Sequence, residues 1–154
     1  MLWVALHFPH LPPGTLETIA AWTCQFTPRV SLEPPQALLL EVQGSLRYFG
    51  GERAFFARLG EGLSELGFQA SLGKAATPRA ALWLARGGKQ ILEEVPLESM
   101  CDGEPLAFLK NIGIEKFSDF VRLPREGLAR RCGQPLLDDL DRALGAAAEP
   151  RAYF

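Results

Sequence analysis

The sequence predicts an α+β fold: a four-stranded antiparallel sheet in the chain order β-α-β-β-α-β, followed by a run of short helices. Three observations carry this. The apolar runs Leu2–Phe8 and Ala37–Leu40, with Val30–Glu33 preceding the second, are strand-length and bounded by Pro and Gly. Glu52–Leu66 repeats Phe55, Phe56, Leu59, Leu63 and Leu66 at helical spacing and closes at Gly67. Beyond residue 96 the pattern becomes purely helical, cut into short lengths by Gly and Pro.

Taken in order, Leu2–Phe8 reads as a central strand covered on both faces. His7–Gly14 is a turn-rich exit whose two histidines, lacking a third ligand, read as loop residues. Thr15 is an N-cap, and Leu16, Ile19, Ala20, Thr23 and Phe26 share one helical face. Val30–Glu33 and Ala37–Gln43 form a hairpin through Pro34-Pro35-Gln36. The helix Glu52–Leu66 follows, then a fourth strand at Phe68–Leu72 from its alternation. Together these make a ferredoxin-like sheet with its helices on one face. Thr77-Pro78 opens a helix through Arg79–Arg86, and Gln90–Val95 suits a short edge strand. Helices are expected at Pro105–Ile112, Lys116–Leu123, Arg125–Cys132 and Pro135–Leu144. The resulting organisation is a sheet domain over 1–96, a helical subdomain over 97–145, and a linker or tail over 146–154.

Composition bounds the function. At 154 residues and 47% hydrophobic content the chain can bury a core without staples. A net charge of −2 argues against a wholly basic nucleic-acid binder, so any such binding needs a local patch. Cys24, Cys101 and Cys132 are odd in number and widely spaced, which suits reduced thiols and a cytoplasmic setting. The apolar start breaks at Pro9, well short of the roughly twenty residues a membrane span needs, so no membrane partner is expected.

The residues with chemical potential are Glu33, at the end of one hairpin strand, and Glu41, within the other. Two carboxylates on neighbouring strands can hold a divalent metal, or they can be solvent-facing strand residues. Gln36–Leu40 loosely matches a sliding-clamp-binding peptide, but its apolar run reads as a buried strand.

Three stretches in order, TPRVSLEPPQALLLEVQGSLRYFGG, SLGKAATPRAALWLARGG and LKNIGIEKFSDFVRLPREGLARRCG, resemble the Y-family translesion DNA polymerases. With the opening MLWVALHFPHLP they are most similar to the ImuB subgroup, polymerase-like proteins of bacterial mutagenesis cassettes. The resemblance implies that the sheet is a palm and the helical part a thumb, with the fingers interval reduced to His10–Thr15 and the little finger missing. It also implies which acids an active palm requires: an acidic pair on the first strand and Ser-Ile-Asp-Glu entering the hairpin, together holding two Mg²⁺ ions. Here Met1–Leu16 contains no acid, and Ser31-Leu32-Glu33-Pro34 stands at the second motif. Glu33, Pro34 and Glu41 are therefore degenerate positions, no catalytic residue or metal ligand set is expected, and no cofactor is implied. Thr77-Pro78 stands where active members have Asn-Lys.

On the thumb side, Asn111-Ile112-Gly113-Ile114 resembles the family's phosphate-contacting turn. Lys110, Gly113, Lys116, Arg130 and Arg131 are the expected DNA contacts, weak and sequence-independent, with a solvated helix surface as the competing reading. The role implied by the resemblance is that of a catalytically inactive adaptor in SOS-induced, error-prone translesion synthesis and DNA repair. Its partners would be the sliding clamp, a RecA-like accessory protein and an error-prone C-family polymerase. The alternatives are a weakly active Mg²⁺-dependent nucleotidyltransferase using Glu33 and Glu41, or an unrelated ferredoxin-like binding or oligomerisation module.

Overall fold

A computed structural model describes all residues from Met1 to Phe154. The sheet is built from β1 (Trp3–His7), β2 (Val30–Glu33), β3 (Ala37–Glu41) and β4 (Ser71–Ala75). Its spatial order is β2-β3-β1-β4, with every neighbouring pair antiparallel. This is the ferredoxin-like order expected of a split β-α-β arrangement. The helices are α1 (Leu16–Thr23), α2 (Glu52–Leu66), α3 (Pro78–Gly87), α4 (Gly103–Asn111), α5 (Phe117–Phe120), α6 (Arg125–Cys132) and α7 (Gln134–Leu144).

Strand alternation sends Val4, Leu6, Leu38, Leu40 and Val30 to one face, where they pack with Leu16 and Ile19 of α1 and Phe55, Leu59 and Leu63 of α2. The opposite face carries Trp3, Ala5, Ala37 and Leu39, which pack against Ala81, Leu82 and Ala85 of α3. The two helices of the β-α-β-β-α-β unit, α1 and α2, thus share one face as expected, and α3, which follows the last strand, covers the other. Ala80, Trp83 and Leu84 of α3 join a further core with Leu97, Leu109, Phe120, Leu128, Leu137 and Leu140 of the helical part. One helix, apolar on two sides, welds the sheet to the helices that follow. Its start is capped as the sequence predicts: the Thr77 hydroxyl accepts from the Ala80 N–H at 3.3 Å, and Pro78 takes the first helical position.

Two strand expectations are corrected. β4 begins at Ser71, three residues later than expected, because Phe68 and Ala70 serve the α2-side core as a connector and Phe68 packs edge-on against Phe8. Gln90–Val95 forms no strand; Leu92–Glu94 makes a single 3₁₀ turn with Glu93 and Glu94 exposed. The segment is held instead by Val95, whose carbonyl accepts from the Phe117 N–H at 2.8 Å. His7 closes β1 and does not lie in the following loop. Residues 146–154 carry no helix or strand, yet they are not frayed: the Phe154 N–H donates to the Val30 carbonyl beside β2. No helix is long and apolar enough to cross a membrane.

Candidate functional site

The candidate site lies on the α3-facing side of the hairpin, where register decides what each acid can do. Glu41 lies opposite Trp3, and Glu33 pairs with Ala37, which lies opposite His7. The two carboxylates therefore share a face but sit at opposite ends of the hairpin, roughly 13 Å apart at about 3.4 Å per residue. On that face β1 offers Trp3, Ala5 and His7, none of them a carboxylate. No three His, Cys, Asp or Glu side chains converge anywhere in the molecule.

Glu41 is buried and engaged through both its oxygens. One oxygen accepts from the Leu2 N–H at 3.4 Å and the Gln43 N–H at 3.1 Å, the other from Arg29 at 3.2 Å. It thus ties the start of β1 to the chain leaving β3. Such a carboxylate, holding three donors on its two oxygens, acts as a structural anchor.

Glu33 meets a different partner, one the sequence did not single out. Arg151, from the tail, reaches it at 2.6 Å through Nη2. The same guanidinium donates to the Ser31 hydroxyl at 2.9 Å, the Leu32 carbonyl at 3.1 Å and Glu149 at 3.0 Å. Glu149 in turn faces Arg79 of α3 at 3.6 Å, and Arg79 lies 3.6 Å from Asp139 of α7, which Arg142 holds at 3.0 Å. Three arginines and three acids thus link β2, the tail, α3 and α7. Nearby, burial and then Arg86 pull His7 below its ordinary value, opposed by a hydrogen bond with Gln36. Burial likewise works against the charge on Arg86, with Glu33 favouring it and Arg79 opposing it.

The residues present do not fit a pair of Mg²⁺ ions. Hard divalent ions need several convergent oxygens. Here one carboxylate is spent on backbone amides and Arg29, the other on Arg151, and Pro34 stands beside it. Glu33 and Glu41 as joint metal ligands is therefore a reading the geometry removes. The match of Gln36–Leu40 to a clamp-binding peptide fails as well, since Ala37–Glu41 is a buried strand. In the helical core, burial, then Cys132, Asp102 and Glu98, push the Cys101 thiol up to about 11, and burial raises Cys132.

In the helical part, Lys110 lies in the last turn of α4 and is paired with Glu98 at 2.7 Å. That contact lowers the Glu98 carboxyl and raises the Lys110 ammonium. Gly113 turns the chain with φ of +87°, a left-handed conformation suited to glycine, and has open space around it. Lys116 is exposed just before α5, its backbone bridged to Pro96. Arg130 is exposed on α6, and Arg131 lies over the Phe108 ring of α4 at 5.5 Å. Lys116, Arg130 and Arg131 form no ion pair, whereas Lys110 is already engaged.

The sheet order, the α3 weld and the helical part that follows define a class: the palm-and-thumb fold of Y-family DNA polymerases. Similar solved structures include the Dbh ternary complex, at a TM-score of 0.67 and 12% identity over 98% of this chain and 69% of that one. A DinB family error-prone DNA polymerase from Sulfolobus solfataricus matches at 0.66 and 12% identity, over 98% of this chain and 68% of that one. More particularly, the chain is 31% identical to Protein ImuB of Caulobacter vibrioides over 99% of its own length. It spans 36% of that protein, about a third of the length of the curated relatives it matches. No family model matches the chain.

Proposed function

We propose that this chain is the palm-and-thumb portion of a catalytically inactive, ImuB-like member of the Y-family fold. Its role would be that of an adaptor in SOS-induced, error-prone translesion DNA synthesis. The adaptor joins DNA and the sliding clamp to a RecA-like accessory protein and a separate C-family polymerase, in the cytoplasm, and leaves bond formation to that polymerase. One observation supports the loss of catalysis above others: Glu33 and Glu41 each hold an arginine at opposite ends of the hairpin, facing a first strand without acids. Phosphoryl transfer by metal ions needs carboxylates that converge. DNA contact falls to Gly113, Lys116, Arg130 and Arg131, with Lys110 joining once it leaves Glu98, and is sequence-independent and salt-sensitive.

The test is primer extension on a labelled primer–template with Mg²⁺ or Mn²⁺, with anisotropy of the same label read at two salt concentrations. The expected result is no incorporation above background, with weak binding that falls with salt and falls again in an Arg130→Glu/Arg131→Glu variant. Incorporation that disappears in Glu33→Ala/Glu41→Ala would overturn the inactive reading. Binding unchanged by the arginine reversals would remove the thumb patch.

A further inference from the structure

The two edges of the sheet are treated differently. β2 is covered along its outer side by the chain's own tail, through Phe154 on the Val30 carbonyl and Arg151 on Ser31 and Leu32. β4 pairs with β1 alone, and no hydrogen bond joins its outward N–H and C=O groups to any other segment. An uncovered strand edge is a template for a further strand.

The ground beside that edge is shaped and charged. A groove of about 510 Å³ is lined by Phe56, Leu72, Lys74, Lys89, Gln90 and Ile91, with Gly73 at its floor. Leu72 on β4 is 38% exposed, and Ile91, in the segment after α3, is 50% exposed, both high for large apolar residues. The lining holds two lysines and no acid. Lys74 leans onto Glu52 and over the Phe56 ring at 5.5 Å, so its ammonium is drawn towards α2 and away from the strand edge. Lys89 is exposed and has no ion-pair partner. Behind the groove, β4 packs closely on α3: a Cβ at Gly73 would lie 2.3 Å from the Ala81 carbonyl oxygen.

We infer that the β4 edge is a docking site for an extended acidic peptide segment of a partner protein, added as a fifth strand. Main-chain hydrogen bonds to Ser71–Ala75 give affinity. Alternate side chains give specificity, the apolar ones meeting Phe56 and Leu72 or Ile91 and the acidic ones meeting Lys89. This is independent of whether the sheet face retains any catalysis.

The probe is a fluorescein-labelled hexapeptide alternating valine with aspartate, followed by anisotropy and by amide chemical shifts of the labelled protein. Saturable binding is expected, with shifts concentrated at residues 71–75 and 89–91. Lys89→Glu, on an exposed side chain, weakens binding about fivefold, the scale of one surface ion pair. A peptide N-methylated at alternate residues, which keeps its charge but cannot extend the ladder, binds about tenfold more weakly or worse. Absence of saturable binding overturns the proposal, as does equal affinity for the N-methylated peptide or shifts centred elsewhere. A peptide-independent dimer that uses this edge in sedimentation velocity also overturns it, since the occupant is then a second copy.

Discussion

The Arg151 guanidinium meets four acceptors, the Ser31 hydroxyl, the Leu32 carbonyl, Glu33 and Glu149. Its side chain is 10% exposed and that of Glu149 8%, so both charges have left bulk water and depend on each other. Removing one member of a buried charge cluster strands the rest, which costs more than the pair contributes net. Arg151→Ala is therefore expected to destabilise the fold by about 2–4 kcal/mol, read as a lowered urea midpoint, and to release the tail to proteases. Arg151→Lys should recover little, because an ammonium cannot span a hydroxyl, a carbonyl and two carboxylates as a planar fork does. A midpoint unchanged in Arg151→Ala would show that the tail contact contributes nothing. At the position where the resemblance expects metal ligands, this chain has installed its own cation.

At the scale of elements, α3 packs tightly onto β4, and Gly73 is what permits it. A methyl at that position would meet backbone on α3, the Ala81 oxygen at 2.3 Å and the Ala85 nitrogen at 2.5 Å, neither of which can rotate away. Gly73→Ala is expected to cost about 1–3 kcal/mol or more as overpacking. Gly60→Ala, inside α2 with nothing within 4 Å, should instead gain roughly 0.5–1 kcal/mol from helix propensity. Equal effects at the two sites, measured by urea unfolding, would contradict the close packing. The same pair of elements marks where the sequence was legible and where it was not. α2 is found over the residues its periodicity predicts and α6 between the Pro124 and Gly133 that bound it, while β1 and β3 stand out because their apolar runs are unbroken. β4 was misplaced since Ser71, Gly73 and Ala75 are chosen small for α3, leaving no apolar alternation to read. The second sheet face follows from β1 reading as covered on both sides, but its tightness does not, because the alanines Ala81 and Ala85 signal little hydrophobicity while allowing close contact. The acids Glu33 and Glu41 were visible as residues. Their partner Arg151 was not, being 118 positions from Glu33 with no local pattern to announce it.

For the molecule as a whole, the sheet part and the helical part share α3, so they should not unfold apart. Trp83 is wholly buried in the core it builds with Phe117, Leu97 and Leu140, while Leu82, its neighbour in sequence, lies in the core against β1 and β3. Thr77 adds a second tie, its hydroxyl donating to the Ala143 carbonyl at 2.8 Å near the end of α7. Loss of either core removes the packing that holds α3 helical, because a ten-residue helix has marginal stability in isolation. Urea unfolding followed by tryptophan fluorescence and by far-ultraviolet circular dichroism is therefore expected to give one coincident transition. Trp83→Ala should lower both curves together by about 3–5 kcal/mol, the cost of emptying a large core position. Two separated transitions, or a Trp83→Ala effect confined to one probe, would mean that the parts are independent units joined only by chain. A single unit would also serve the proposed adaptor role, since partners on the sheet edge and on the helical part would keep a fixed geometry only if α3 transmits no play between them.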